Sequence, residues 1–191
     1  MKKIFIIIVL LTISYNFSRA QFGIGASGGL LHPGFLEAEP SGSKFKAEWG
    51  YELFVRHDLI QIDESFSIQG RYAYRHFTNK IKLPNLLDTW FRFNYLTVDL
   101  LATFKRFDDI SLYTGLGVSL LTINADKDWL NFTGTLFLPE IILGSEWMLS
   151  LHYNLFSEIS MQFGSIKDVN RESIPITGVR FIIGATMFLT E

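Results

Sequence analysis

Residues 65–77 read Ser-Phe-Ser-Ile-Gln-Gly-Arg-Tyr-Ala-Tyr-Arg-His-Phe. In an extended chain successive side chains point to opposite faces, so Phe66, Ile68, Tyr72 and Tyr74 share one side while Ser67, Gln69, Arg71 and Arg75 share the other. A strand of this kind needs an apolar medium on one face and a polar one on the other. Working outward, seven more stretches show the same period. They are Phe22–Leu31, Phe45–Arg56, Phe93–Phe104, Ser111–Ile123, Thr135–Trp147, Leu151–Phe163 and Thr177–Leu189. In the fourth strand Leu96, Val98, Leu100 and Phe104 oppose Tyr95, Thr97, Asp99 and Thr103. In the seventh, Leu151, Tyr153, Leu155, Ile159, Met161 and Phe163 oppose His152, Asn154, Glu158, Ser160 and Gln162. The sixth strand contains Pro139, which removes a ladder donor and predicts a bulge or local kink there.

Eight such strands predict an all-β fold: an eight-stranded antiparallel transmembrane β-barrel of up-and-down meander type. A bilayer offers backbone groups no partners, so only helices or closed sheets cross it. After residue 20 no apolar run reaches the 18 or so residues a spanning helix needs. The competing fold is a soluble lipocalin-like barrel, with its apolar face inward around a ligand. Alternation alone cannot choose between the two. The polar face decides, because its charged and small residues would make a poor soluble core. Turned inward, that face carries Glu52, Arg56, Arg71, Arg75, Asp99, Glu140, Glu158 and Arg180, four acids and four bases. An eight-stranded barrel is only wide enough for its own side chains, so these predict a packed salt-bridge core and no large pore.

The connections carry an independent signal. His32–Lys44, Thr78–Arg92, Asn124–Leu130 and Gly164–Ile176 are mostly long and polar, whereas Asp58–Glu64, Lys105–Ile110 and Trp147–Ser150 are shorter. Outer-membrane barrels have short periplasmic turns and longer outside loops. Threaded that way, lipid-facing Trp49, Tyr51, Tyr72, Tyr74, Phe163 and Phe181 fall near the outer rim, and Phe66, Phe104, Trp147 and Tyr153 near the inner rim. Two aromatic girdles follow. Within the loop Thr78–Arg92, the residues Leu83, Pro84, Leu86, Leu87, Trp90 and Phe91 form an apolar patch, either a binding surface or an early start of strand four.

At the N-terminus, Lys2 and Lys3 precede the apolar run Ile4–Ile13, and Ser18-Arg19-Ala20 supplies a small-residue cleavage site. This predicts a signal peptide over 1–20 and a barrel domain over 21–191. Losing Lys2, Lys3 and Arg19 takes the net charge from −2 to −5. A mildly acidic chain without a basic run excludes nucleic acid as partner. The absence of cysteine excludes a lipoprotein.

Catalytic signals are thin. Gly23-Ile24-Gly25-Ala26-Ser27-Gly28 matches the dinucleotide-binding spacing, yet no strand precedes it and no helix follows it, so it reads as a tightly packed strand. His32, His57, His76 and His152 are too scattered to hold a metal, and no cofactor is expected. His152, Glu158 and Ser160 share a strand face, but six residues span roughly 20 Å, too far for a His–Glu hydrogen bond. A lipid A-modifying enzyme therefore remains the second reading.

The segments Phe93–Leu101, Leu112–Gly117 and Leu151–Leu155, with a signal ending Ala20-Gln21, resemble the PorT-like outer-membrane β-barrel family of Bacteroidota. The resemblance covers nearly the whole mature chain. It departs at Asp99, where members often have proline, and at the end Phe188-Leu189-Thr190-Glu191, where an aromatic residue is common. It implies an integral outer-membrane protein and carries no functional residue across. The expected role is structural or interactive, as a monomer in outer-membrane lipid that meets other envelope proteins through its loops.

Overall fold

The computed structural model describes residues 21–32, 44, 45, 47–63, 65–82, 89–105, 109–125, 135–167, 173–175 and 177–189. Eight long strands follow the predicted order: β1 (Phe22–His32), β2 (Glu48–Gln61), β3 (Phe66–Lys82), β4 (Thr89–Lys105), β5 (Ile110–Ala125), β6 (Thr135–Ser150), β7 (Tyr153–Gln162) and β8 (Gly178–Leu189). Each pairs antiparallel with the next, and β8 returns to β1 from Phe22↔Leu189 through His32↔Val179. The sheet has no free long edge. It is a closed eight-stranded antiparallel barrel, which satisfies the main-chain groups of every strand within the wall.

Alternation decides which face goes where. Tyr72, Tyr74, Leu96, Val98, Leu116, Ile141, Ile159 and Ile183 are exposed on the outside, while their immediate neighbours Arg71, Arg75, Tyr95, Thr97, Asp99, Gly117, Glu140, Glu158 and Ile182 are buried inside. Leu116 is 67% exposed whereas Glu158 is 1% exposed, the reverse of a water-soluble protein. The wall therefore calls for hydrocarbon on its outer side.

Connections segregate as expected. Residues 62–65, 106–109 and 151–152 link strands at one end, and 33–47, 83–88, 126–134 and 163–177 link them at the other. Both register shifts, at Asp58/Ile60 and Met148/Ser150, lie at the short-turn rim.

Three expectations need correction. Pro139 causes no bulge: the β5–β6 register runs unbroken from Ile110↔Trp147 to Thr122↔Thr135. Its carbonyl accepts from Phe163 N at 2.9 Å, so the missing N–H points toward β7 just beyond that strand's last residue, Gln162. The loss is confined to one bond, opposite Phe163 at the end of the β6–β7 ladder. Second, Thr78–Arg92 is mostly strand, since Thr78↔Arg92, Asn79↔Phe91, Lys80↔Trp90 and Ile81↔Thr89 are paired. Trp90 and Phe91 thus belong to the first residues of β4, which starts at Thr89, and Leu83, Pro84, Leu86 and Leu87 lie outside the described residues. Third, Tyr72 belongs to the short-turn half and not the outer rim. Its ring stacks on His57 at 5.8 Å, and His57 stacks on Phe22, the first residue of β1, at 5.6 Å.

Candidate functional site

Four inward arginines organise the lumen. Arg75, on β3, donates to Glu52 on β2, to Glu140 on β6 at 2.8 and 3.0 Å, to Thr97 at 3.1 Å and to Asp99 on β4 at 3.1 Å. One turn of the pleat away, Arg71 donates to Asp99 at 2.7 Å and to both oxygens of Glu158 on β7, at 2.6 and 3.2 Å. Arg180, on β8, reaches Glu158 at 3.0 Å and lies 3.5 Å from Glu140. Tyr113 of β5 donates its hydroxyl to Glu158 at 3.1 Å. Strands that are distant in sequence are thus tied across the lumen by guanidinium forks, whose planar donors match carboxylates two at a time. All of the predicted interior charges are found there.

The sequence reading missed one member. Glu146 of β6 is buried and pairs with Arg56, so among the described residues five fully buried carboxylates face four guanidiniums in the lumen. Its position on the polar face of strand six was the available signal. Glycines make the room these large side chains need. A Cβ on Gly117 would sit 2.2 Å from Asp99 Oδ1 and 2.8 Å from Glu140 Cγ, and one on Gly144 would sit 2.2 Å from the Tyr113 ring.

The two ends of the lumen differ. Toward the long loops, Leu31, Phe77, Phe93, Tyr95, Leu121 and Leu138 turn inward, none more than 2% exposed, and close the barrel above the ion network. Phe77 meets Tyr95 edge-on at 6.3 Å, and Gln162 donates to the Tyr95 hydroxyl at 3.2 Å. Toward the short turns the lumen opens into a cavity of about 420 Å³ lined by Arg56, Asp58, Gln69, Thr103, Glu146 and Asn154. Its floor is the Arg56–Glu146 pair, with the Phe188 ring 4.5 Å from the guanidinium carbon. Gln69 donates to Asp58 at 2.8 Å, leaving Gln69 Oε1 and Thr103 Oγ1 without a protein partner.

The conceivable hydrolase group is not assembled. His152 lies in the exposed 151–152 turn, its carbonyl accepting from Phe188 N at 2.8 Å, whereas Glu158 is locked between Arg71, Arg180 and Tyr113 inside. The turn takes His152 out of the strand alternation that had put both on one face. Ser160 is buried on the inner face of β7. Among the described residues no group of three or more His, Cys, Asp or Glu is placed to hold a metal ion. The glycine-rich segment is a strand, β1, as read.

The architecture and its charged interior define a small outer-membrane-type β-barrel. No family model and no curated protein matches the chain. Solved structures do. Neisserial surface protein A aligns with a TM-score of 0.57 at 11% identity, covering 88% of this chain and 96% of that one. The outer membrane protein OprG from Pseudomonas aeruginosa aligns with a TM-score of 0.57 at 16% identity, covering 90% and 97%. Ail, the attachment invasion locus protein of Yersinia pestis, solved in complex with the heparin analogue sucrose octasulfate, aligns with a TM-score of 0.51 at 13% identity, covering 89% and 97%. At these identities the likeness is one of fold.

Proposed function

We propose that this chain is an integral outer-membrane β-barrel with a structural or interaction role exercised through its loops, its lumen sealed against free permeation. The single observation that carries the reading is the inverted distribution of charge: Arg56, Arg71, Arg75, Arg180 and five carboxylates inside, and Leu, Ile, Val and aromatic side chains outside. The fold likeness to outer-membrane barrels supports it. In this reading residues 1–20 are an export signal removed after Ala20, β1 starts two residues later, and both termini and the short turns are periplasmic. The long loops then face outward, and the apolar residues Leu83, Pro84, Leu86 and Leu87 between β3 and β4 are the first place to look for a protein partner. The PorT-like affiliation and a monomeric state belong to the same proposal. No catalytic chemistry is assigned, because the fully buried carboxylates of the lumen are engaged by guanidiniums and Asp58 at its mouth is held by Gln69.

The test is gel mobility of the membrane-extracted protein, boiled against unboiled, after separating inner and outer membranes. The reading predicts a heat-dependent shift in the outer-membrane fraction. A soluble periplasmic protein without a shift would overturn it. For the loop role, deleting 83–88 is expected to change crosslinked partners while leaving the shift intact; unchanged partners would remove that part.

A further inference from the structure

We propose that the polar cavity between the short turns is the seat of the chain's own new α-ammonium, created at Gln21 when the export signal is removed, with Asp58 as its counter-charge. This rests on the reading above that residues 1–20 are cut off after Ala20. Gln21 immediately precedes β1 and lines the cavity. It lies opposite Asp58 on β2, whose main-chain N–H donates to the Gln21 carbonyl at 3.3 Å, one step beyond Phe22↔His57. Residues paired in this way keep their Cα atoms about 5.5 Å apart and put both side chains on one face. The Gln21 nitrogen and the Asp58 carboxylate are therefore within reach of each other at the same rim.

Three observations call for a cation there. The first is charge: of the described residues lining the cavity, Asp58, Asp63 and Glu146 are acids and Arg56 is the base, and Arg56 is taken by Glu146. The second is the partner Asp58 has. Its carboxylate accepts from the Gln69 amide at 2.8 Å, a neutral donor that fixes its direction without balancing its charge. The third is a surplus of acceptors, since Gln69 Oε1, on a residue 8% exposed, has no hydrogen-bond partner. While residues 1–20 remain attached, the Gln21 nitrogen is an uncharged amide with a single N–H. Cleavage turns it into an ammonium with three donors and no acceptor. Processing thus fastens the start of the first strand to the second at the open end of the barrel. It also protects Gln21 chemically. In a free N-terminal glutamine the uncharged α-amine bonds to its own side-chain amide carbon, the old carbon–nitrogen bond breaks, and the departing nitrogen takes up the amine's proton and leaves as ammonia. An α-nitrogen held as an ammonium has no electron pair for that attack.

The test follows ammonia loss by intact mass in the exported protein, purified folded from outer membranes and incubated in detergent at neutral pH. Asp58→Asn keeps the shape but removes the charge, and should cyclise about tenfold faster than the wild type, the scale of one pKa unit at the amine. Asp63→Asn, whose carboxylate lines the same cavity but is held by Ser65, should match the wild type, and unfolding in urea should erase the difference made by Asp58→Asn. As a second measurement, acetylating the Gln21 amine before refolding should lower the urea midpoint of the wild type and leave that of Asp58→Asn unchanged. Equal cyclisation of wild type and Asp58→Asn, equal acceleration by Asp63→Asn, or an acetylated wild type as stable as the free one would each overturn the proposal. Intact mass reads the terminus and the heat-dependent gel shift is read on every sample. A Gln21 terminus and a normal shift without an Asp58 effect count against this site alone; a terminus elsewhere sinks the cleavage reading and this proposal with it.

Discussion

The two ends of this barrel's lumen are built from different materials. Above the ion network, on the loop side, six inward apolar and aromatic residues from Leu31 to Leu138 leave no exposed surface; below it, the Arg56–Glu146 pair faces a polar cavity of about 420 Å³ that opens between the short turns. The difference teaches how a narrow barrel tolerates nine buried charges. Water is kept from the centre by the aromatic stopper and by mutual pairing, while at the mouth it remains at hand to solvate whatever the protein does not. Identical chemistry, a guanidinium beside a carboxylate, should therefore carry different weight at the two levels.

Removing the central cation is the sharpest way to break that comparison. Arg75→Leu would leave Glu52, Asp99 and Glu140 facing one another with a partner gone, and is expected to cost about 3–5 kcal/mol of stability. Arg56→Leu at the mouth should cost only about 1 kcal/mol, because water in the open cavity can hydrate Glu146. Urea unfolding in detergent, followed by the gel shift, measures both; equal losses would remove the distinction. Next comes the stopper itself. Phe93→Ala is expected to cost about 3–4 kcal/mol, and Phe188→Ala at the wet end less than half of that. A third expectation is electrical: the folded protein in a planar bilayer should show no steady ion conductance, and a stable open channel would mean the stopper does not seal. The smallest effect concerns a turn outside the membrane. Asp63 accepts from Ser65 N at 2.7 Å and from Ser65 Oγ at 2.9 Å, and these bonds hold its carboxyl below the ordinary value of 3.8. Its contribution is then present above pH 3.8 and lost as pH falls through the lower folded value. Asp63→Asn should abolish that small acid-side loss, and an unchanged pH profile would show the turn to be irrelevant.

Much of this was legible in the residues. Strict alternation in β3 and β4 assigned Arg71, Arg75 and Asp99 to the polar face, and the structure buries all three. Pairing across the lumen was not legible, since Arg56 and Glu146 lie 90 positions apart and nothing local joins them. The stopper was hidden for a related reason. Phe77, Phe93, Leu121 and Leu138 lie on the inward faces near the strand ends, where apolar residues on both faces blur the period of two. Loop length misled in Thr78–Arg92, because β3 and β4 continue pairing beyond the predicted strand ends, and strands that leave the membrane no longer need an apolar face. His152 was misplaced because the turn 151–152 delays the start of β7 to Tyr153, two residues after the predicted start at Leu151.

The account stands on the outward face meeting lipid. The chain has no cysteine, so a single Leu116→Cys carries one fluorophore at a position 67% exposed on the outer wall. In phosphatidylcholine vesicles, lipids brominated along the acyl chain should quench that fluorophore strongly, and an aqueous quencher should leave it bright. Strong aqueous quenching with no effect of brominated lipid would contradict the account and turn the barrel's apolar face inward.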